Sequence, residues 1–304
     1  MAKQSISVEQ LRKQVEEFLA LPNSDPQAAI LKELLGAVLR LNTERLDMLD
    51  LKIIHRSLKE MRYAFRVFKP YRHRRKVSIF GSARLPSDTL LYDLARRFAE
   101  LLTEEGFMVI TGAGDGIMRA ANEGAGRENS FGVNILLPFE QEANPSIVDD
   151  PKLITFKYFF TRKLFFARES HASAVFPGGF GTHDECFEIL TLLQTGKNNP
   201  HPVVMLDVPG GTYWLRWQRF IQEDMVATRL VSPEDLNLFR IGLRGGGGGR
   251  NRRLLSELPL LPVCEGPIGA APAASPDGGT GGQAERTDCP PVPRWEARAA
   301  VGAA

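Results

Sequence analysis

The sequence predicts an α/β protein, a Rossmann-like doubly wound parallel sheet with an N-terminal helical extension and a disordered C-terminal tail. Three observations carry this. From Lys76 onward short apolar runs alternate with stretches of helical period. Two of those runs end in glycine-rich turns that open a helix, and residues 1 to about 70 keep to a helical period throughout. The expected divisions are 1–72 for the extension, 73–240 for the Rossmann-like domain and 241–304 for the tail.

Composition narrows the class. At 304 residues and 43% hydrophobic the chain can bury a sizeable core, and its net charge of +2 gives no drive toward nucleic acid or a membrane. The run Arg72-His73-Arg74-Arg75-Lys76 reads as a solvated junction before a strand. Cys186, Cys264 and Cys289 lack paired spacing, which suits a reducing compartment. No apolar run reaches the roughly 18 residues of a membrane span, and the N-terminus lacks the apolar core of a secretion signal. A cytoplasmic protein is expected, with no nucleic-acid or membrane partner.

In the extension Val8, Leu11, Val15, Phe18 and Leu19 recur at helical spacing, and Asp25-Pro26 is a cap followed by proline at the first helical position. Leu31, Leu34, Val38, Leu46, Ile53, Leu58 and Met61 continue the stripe. These helices carry no visible chemistry, and their expected role is to cover the next domain or a partner subunit. Val77 to Phe80 is a short strand ending at Gly81-Ser82, and 88–105 is an amphipathic helix. Phe107 to Ile110 is a second strand, running into Thr111-Gly112-Ala113-Gly114-Asp115-Gly116-Ile117-Met118. A helix over 117–124 and strands over 132–137 and 152–156 follow. The glycines at 112, 114 and 116 lack the Gly-x-Gly-x-x-Gly spacing of a dinucleotide fingerprint. A helix is expected over 159–169, carrying Arg162 and Lys163, then a strand over 202–206 and a helix over 213–225. His171, His183 and His201 have no metal-ligand spacing, so no metal is expected.

The centre of the sequence is Val175-Phe176-Pro177-Gly178-Gly179-Phe180-Gly181-Thr182-His183-Asp184-Glu185. Its start reads as the end of a buried strand, its glycines as a sharp turn and 186–194 as the first turns of a helix. Backbone N–H groups and the positive end of a helix dipole converge at such a turn, which points to a phosphorylated ligand. Thr182 and Glu185 also have a structural reading as the two members of a capping box. Beyond about Ile241 the last 64 residues hold 13 glycines and 8 prolines without an apolar period, which predicts disorder. Glutamate codons read one nucleotide out of phase give glycine codons, so the tail also reads as an out-of-frame translation of a last helix.

The run Pro177-Gly178-Gly179-Phe180-Gly181-Thr182-His183-Asp184-Glu185 resembles the Pro-Gly-Gly-x-Gly-Thr-x-x-Glu signature of the LOG ("lonely guy") family, the cytokinin riboside 5′-monophosphate phosphoribohydrolases. Arg162-Lys163 precedes it at the family's interval, and the resemblance runs from about Lys76 to Phe239. Departures are the Gly-Ala-Gly-Asp-Gly-Ile-Met loop and Phe166 where methionine is common, and with the helical extension they look like the larger bacterial members. The resemblance implies hydrolysis of the N-glycosidic bond of a purine nucleoside 5′-monophosphate, with plain or N6-prenylated adenine as base. It implies Glu185 as the carboxylate facing the ribose and Arg162 as the group holding substrate and departing base. Gly178, Gly179, Phe180, Gly181 and Thr182 would take the 5′-phosphate, and Gly112, Gly114, Gly116, Met118 and Ser82 the facing wall. Lys163, Thr191 and Glu140 would add ligand contacts. No cofactor is implied, and a homodimer or larger oligomer is. Family members have been labelled lysine decarboxylases, but no lysine here sits in a setting that suggests a pyridoxal Schiff base. The alternative from another class is a carrier that binds a nucleotide or molybdenum cofactor without turnover.

Overall fold

A computed structural model of the chain describes residues 7–22, 24–138 and 142–242. The expectations placed on residues from 243 onward, disorder and an out-of-frame read, lie outside the described residues, and so does Glu140.

The extension forms three helices. α1 (Val8–Leu19) opens at a capping box between Ser7 and Gln10, and α2 (Pro26–Arg40) opens at Asp25, whose carboxylate accepts from the Gln27 N–H. Neither buries much: among their described side chains only Ala28 is enclosed. α3 (Met48–Phe68) behaves differently. It buries Ser57, Glu60, Ala64 and Phe68, stacks Phe68 on Phe131 with ring centroids 4.4 Å apart, and sets Phe65 4.9 Å from Phe165. Through these aromatic contacts α3 joins the core of the sheet itself.

Seven strands follow: β1 (Lys76–Phe80), β2 (Met108–Thr111), β3 (Ser130–Ile135), β4 (Leu153–Phe156), β5 (Ala172–Val175), β6 (Val203–Met205) and β7 (Arg240–Ile241). They form one parallel sheet in the order β4-β3-β2-β1-β5-β6-β7. Between them run α4 (Leu90–Glu104), α5 (Ile117–Ala125), α6 (Phe159–Glu169), α7 (Phe180–Gln194) and α8 (Tyr213–Phe220). Side chains alternate across the sheet: Val77, Ile79, Val109 and Ala174 pack with α4 and α5, whereas Phe80, Met108, Ile110 and Val175 pack with α3, α6 and α7. With both faces covered, the central strands read as mostly apolar runs and not as alternating ones. The chain winds outward from β1 to β4, then restarts on the other side of β1 with β5. Ligand crevices of open α/β sheets form where the order reverses, at the carboxyl ends of the strands, here β1 and β5.

Several boundaries differ from expectation, for physical reasons. α7 begins at Phe180, six residues before Cys186, because Gly179 serves as its N-cap and Gly181 in its first turn masks the helical period. The Thr182–Glu185 capping box does not form. Thr182 is already the third helical residue, its N–H bonded to the Gly179 carbonyl, and no side chain caps the helix. The helix predicted over 213–225 is α-helical only to Phe220 and continues as a π-helical segment, Ile221–Val226. β7, two residues long, is too short to show a period. The two glycine turns follow β2 and β5, and β1 lies between those strands.

Candidate functional site

Three turns meet at the carboxyl end of the sheet. The turn after β1 is the clasp between the other two: the Ser82 N–H donates to the Pro177 carbonyl at 3.1 Å, and the Ser82 carbonyl accepts from the Ile117 N–H at 3.0 Å. Gly116, the N-cap of α5, has φ +62°, and a Cβ there would lie 2.2 Å from the Ser82 oxygen. Only glycine both adopts that conformation readily and allows that approach. Behind this loop, Asn144 donates from its backbone to the Ala113 carbonyl and from its side chain to the Gly114 carbonyl and Asn122, which also accepts from Thr111. Met118 lies against Gly112, its sulfur 2.8 Å from where a Cβ would stand.

The turn after β5 carries the central motif. A Cβ on Gly178 would fall 2.1 Å from the Thr182 hydroxyl and 2.9 Å from the Ser82 nitrogen, so only the missing side chain lets the threonine hydroxyl and the Ser82 amide pack against this turn. No side chain caps either α5 or α7, and both begin on glycine at this edge of the sheet. Amide N–H groups at such ends, with the dipole behind them, attract anions. Phe180, the first residue of α7, is 95% exposed. A second layer holds the turn: the Tyr213 hydroxyl donates to the Gly178 carbonyl at 2.5 Å and lies 2.6 Å from His183 Nε2. Because the tyrosine proton is committed to Gly178, His183 must donate from Nε2. Burial lowers the pKa of His183, which keeps the ring neutral near pH 7. Spacing alone could not reveal the pairing of Tyr213 with Gly178 across thirty-five residues.

One turn farther along α7, Glu185 points at α6. Its Oε1 accepts from Arg162 Nη2 at 2.8 Å, and the two side chains are 6% and 12% exposed. The guanidinium sits over the rings of Phe159 (4.9 Å to the centroid) and Phe166 (5.6 Å), and its buried Nε has no partner among the described residues. Burial raises the Glu185 pKa; the charges of Arg162 and Lys163 pull it down but do not offset the loss of solvent. Lys163 is engaged by three carboxylates of α7, Asp184 at 3.0 Å, Glu185 at 3.7 Å and Glu188. Burial lowers the pKa of Lys163, but Glu188, Glu185 and Asp184 together outweigh it and raise the value, so this lysine clamps α6 to α7 as a firm cation.

The structure therefore brings together Ser82, Gly112, Gly114, Gly116, Met118 and Gly178 to Thr182 on the interlocked turns, with Arg162, Lys163 and Glu185 on the two helices behind them. It does not bring Thr191 there. Thr191 lies about 9 Å along α7 from Glu185, exposed, its hydroxyl donated to the Phe187 carbonyl. A cavity of about 720 Å³ touches the turn at Pro177 and His183 and is lined by Asp207, Tyr213, Arg216 and Trp217. It includes neither Arg162 nor Glu185, and the convergence of charge and open amides marks the site better than that volume does. Cys186 is buried and its thiol is pushed up to about 12, so it is no nucleophile. Among the described residues no group of histidine, cysteine and carboxylate side chains could hold a metal ion, and no helix is long and apolar enough to cross a membrane.

Residues 115–243 match the family described as "Possible lysine decarboxylase". Over 140 residues the chain is 27% identical to cytokinin riboside 5′-monophosphate phosphoribohydrolase LOG2 of Arabidopsis thaliana, a match covering 45% of this chain and 64% of that relative, less than two thirds of its length. Among solved structures, the structural genomics target TM1055 is similar at 22% identity over 56% of this chain and 92% of its own, with a TM-score of 0.38. The molybdenum cofactor binding protein from Rippkaea orientalis is similar at 20% identity over 56% and 90%, with a TM-score of 0.36.

Proposed function

We propose that this chain is a member of the LOG family and that it hydrolyses the N-glycosidic bond of purine nucleoside 5′-monophosphates, yielding free base and ribose 5-phosphate. The observation that carries the proposal is the buried Glu185–Arg162 pair set directly behind a glycine-capped helix start. An anion trap alone would suit any phosphate, but a desolvated carboxylate beside it supplies what cleavage of this bond requires.

As the bond between C1′ and the base nitrogen breaks, its electron pair leaves with the base and positive charge develops on the ribose ring. The Glu185 carboxylate, fixed by Arg162 and shielded from water, stabilises that charge. It also accepts a proton from the attacking water, whose oxygen bonds to C1′. The departing base gains negative charge, which the guanidinium of Arg162, spending only Nη2 on Glu185, stabilises by hydrogen bonding while keeping its own protons. The proton that Glu185 takes from the water then passes to the base, which leaves neutral and restores the carboxylate. The phosphate binds the amides at the start of α7 and the Thr182 hydroxyl, with the Gly112–Gly116 loop and Ser82 opposite and Phe180 at the rim. The lysines of the family's older label fit poorly: Lys76 lies at the amino end of β1, away from the turns, Lys152 is paired with Asp150, and Lys163 is held protonated by carboxylates.

The test is incubation of the protein with AMP and N6-isopentenyl-AMP, with free base measured by chromatography. Base release from either supports the reading, and the ratio of the two rates assigns the preferred base. Tight binding of both without release of base would replace it with the cofactor-carrier reading.

A further inference from the structure

We propose that Glu60, on the N-terminal extension, is a positioning residue for this site: its carboxylate fixes the start of α6 and thereby sets the Arg162 guanidinium against Glu185. The inference rests on the functional reading given above. Glu60 belongs to α3, and its side chain is 4% exposed. It accepts three hydrogen bonds, from the Lys157 backbone N–H at 2.7 Å, the Thr161 hydroxyl at 2.8 Å and Arg56 Nε at 2.7 Å. Lys157 is the last residue but one before α6, and Thr161 immediately precedes Arg162. No side chain within α6 caps it, and its N-cap, Tyr158, makes no such bond. The anchor comes instead from a residue about a hundred positions earlier in the chain, and places a negative charge at the positive end of the helix.

Other contacts between α3 and α6 are aromatic: Phe65 and Phe68 lie 4.9 and 6.0 Å from Phe165, and Arg168 lies over Phe65. Ring packing holds two helices together but tolerates small slides and rotations. Directional hydrogen bonds to one backbone amide and one hydroxyl do not. A buried carboxylate is also a costly way to fill space, and an apolar residue would stabilise the contact at least as well, so its use is explained by register. Such register matters here because one turn of α6 carries both Thr161, on the Glu60 side, and Arg162, on the Glu185 side. The helical extension therefore reaches the chemistry through a chain of three contacts, Glu60 to Thr161, Thr161 to Arg162 along the backbone, and Arg162 to Glu185.

The experiment uses the full chain with Glu60→Ala, Glu60→Gln and Thr161→Val. It measures kcat and KM for AMP hydrolysis and backbone hydrogen exchange over 157–163. Glutamine can keep the arrangement: its carbonyl accepts from Lys157, and its amide donates to Thr161, whose own proton turns to the Tyr158 carbonyl it already neighbours at 2.9 Å. Expected are a fall in kcat of about tenfold or more for Glu60→Ala with KM within about threefold, faster exchange over 157–163, and near wild-type values for Glu60→Gln. An unchanged kcat in Glu60→Ala overturns the proposal, and so does an equal loss in Glu60→Gln, which would make the charge the cause. If Glu60→Ala does not fold, Thr161→Val decides, and an unchanged kcat there overturns it. If the wild-type protein releases no base, the functional reading fails by itself, and exchange over 157–163 that Glu60→Ala leaves unaltered overturns the anchoring.

Discussion

Glu185→Gln separates the chemical role of this side chain from its structural one. The substitution keeps the shape of a side chain that is 6% exposed and leaves a carbonyl oxygen for Arg162 Nη2, now 2.8 Å from the carboxylate. It removes the charge that would face the ribose. Loss of one preorganised group of this kind costs about 3–4 kcal/mol of barrier, a fall in kcat of about 10²–10³. Stability should move the other way. Burial raises the folded-state pKa of Glu185 above its unfolded value, so folding favours the protonated form relative to the unfolded chain. That contribution is complete below the unfolded pKa and is lost as pH rises through the folded pKa. Glutamine has no proton to lose, so the melting temperature of Glu185→Gln relative to wild type should rise as pH climbs through the same window. Chromatographic assay of base release, with thermal melts on the acid and alkaline sides of that window, reads both effects. A variant that retains kcat within about threefold of wild type would refute the reasoning.

The raised pKa also predicts that the acid limb of kcat/KM lies above the ordinary glutamate value of about 4.3, and that this limb disappears in Glu185→Gln; a pH–rate profile checks both. Arg162→Ala leaves the buried Glu185 carboxylate with Lys163 alone, at 3.7 Å, and should cost less than the roughly 3–5 kcal/mol of a wholly unpaired buried charge, most of it regained in the double variant with Glu185→Gln without return of activity; denaturant titration and the base-release assay measure the two. Gly178→Ala drives a Cβ into the Thr182 hydroxyl and the Ser82 amide and should abolish AMP binding, whereas Gly179→Ala, with nothing within 4 Å, should leave the fold intact; calorimetric titration separates them. Tyr213→Phe leaves the Gly178 carbonyl and His183 without their partner, at a cost of about 1–3 kcal/mol, seen as a lower melting temperature and a higher KM for AMP.

The sheet was legible in the sequence because strands covered on both faces are written as apolar runs, and β1 to β6 fall where those runs lie. The turns were legible as glycine clusters. Their mutual arrangement was not, since the interposed β1 is a matter of strand order, and Ser82 carries its two bonds through the backbone, which no side chain announces. α7 was placed late because its cap and second residue are both glycine. That shift matters chemically: moving the start of the helix to Phe180 carries Thr182 inside it and turns Glu185 from a capping partner into an inward-facing side chain opposite α6. The links from Tyr213 to Gly178 and from Glu60 to Thr161 join residues far apart in the chain, so no spacing rule could have shown them.

The Ser82 clasp has a consequence for how this fold could be retargeted. Because one backbone segment is bonded to both flanking turns and packed within a methyl group's reach of each, none of the three can shift alone. In the proposed reaction, tolerance for different bases would then rest on side chains outside them, such as Phe180, which is 95% exposed, whereas Phe159 packs against the Arg162 guanidinium and is not free to change. Under that reading, libraries randomised at Phe180, with every glycine kept, would alter the choice of base while preserving the grip on the sugar phosphate.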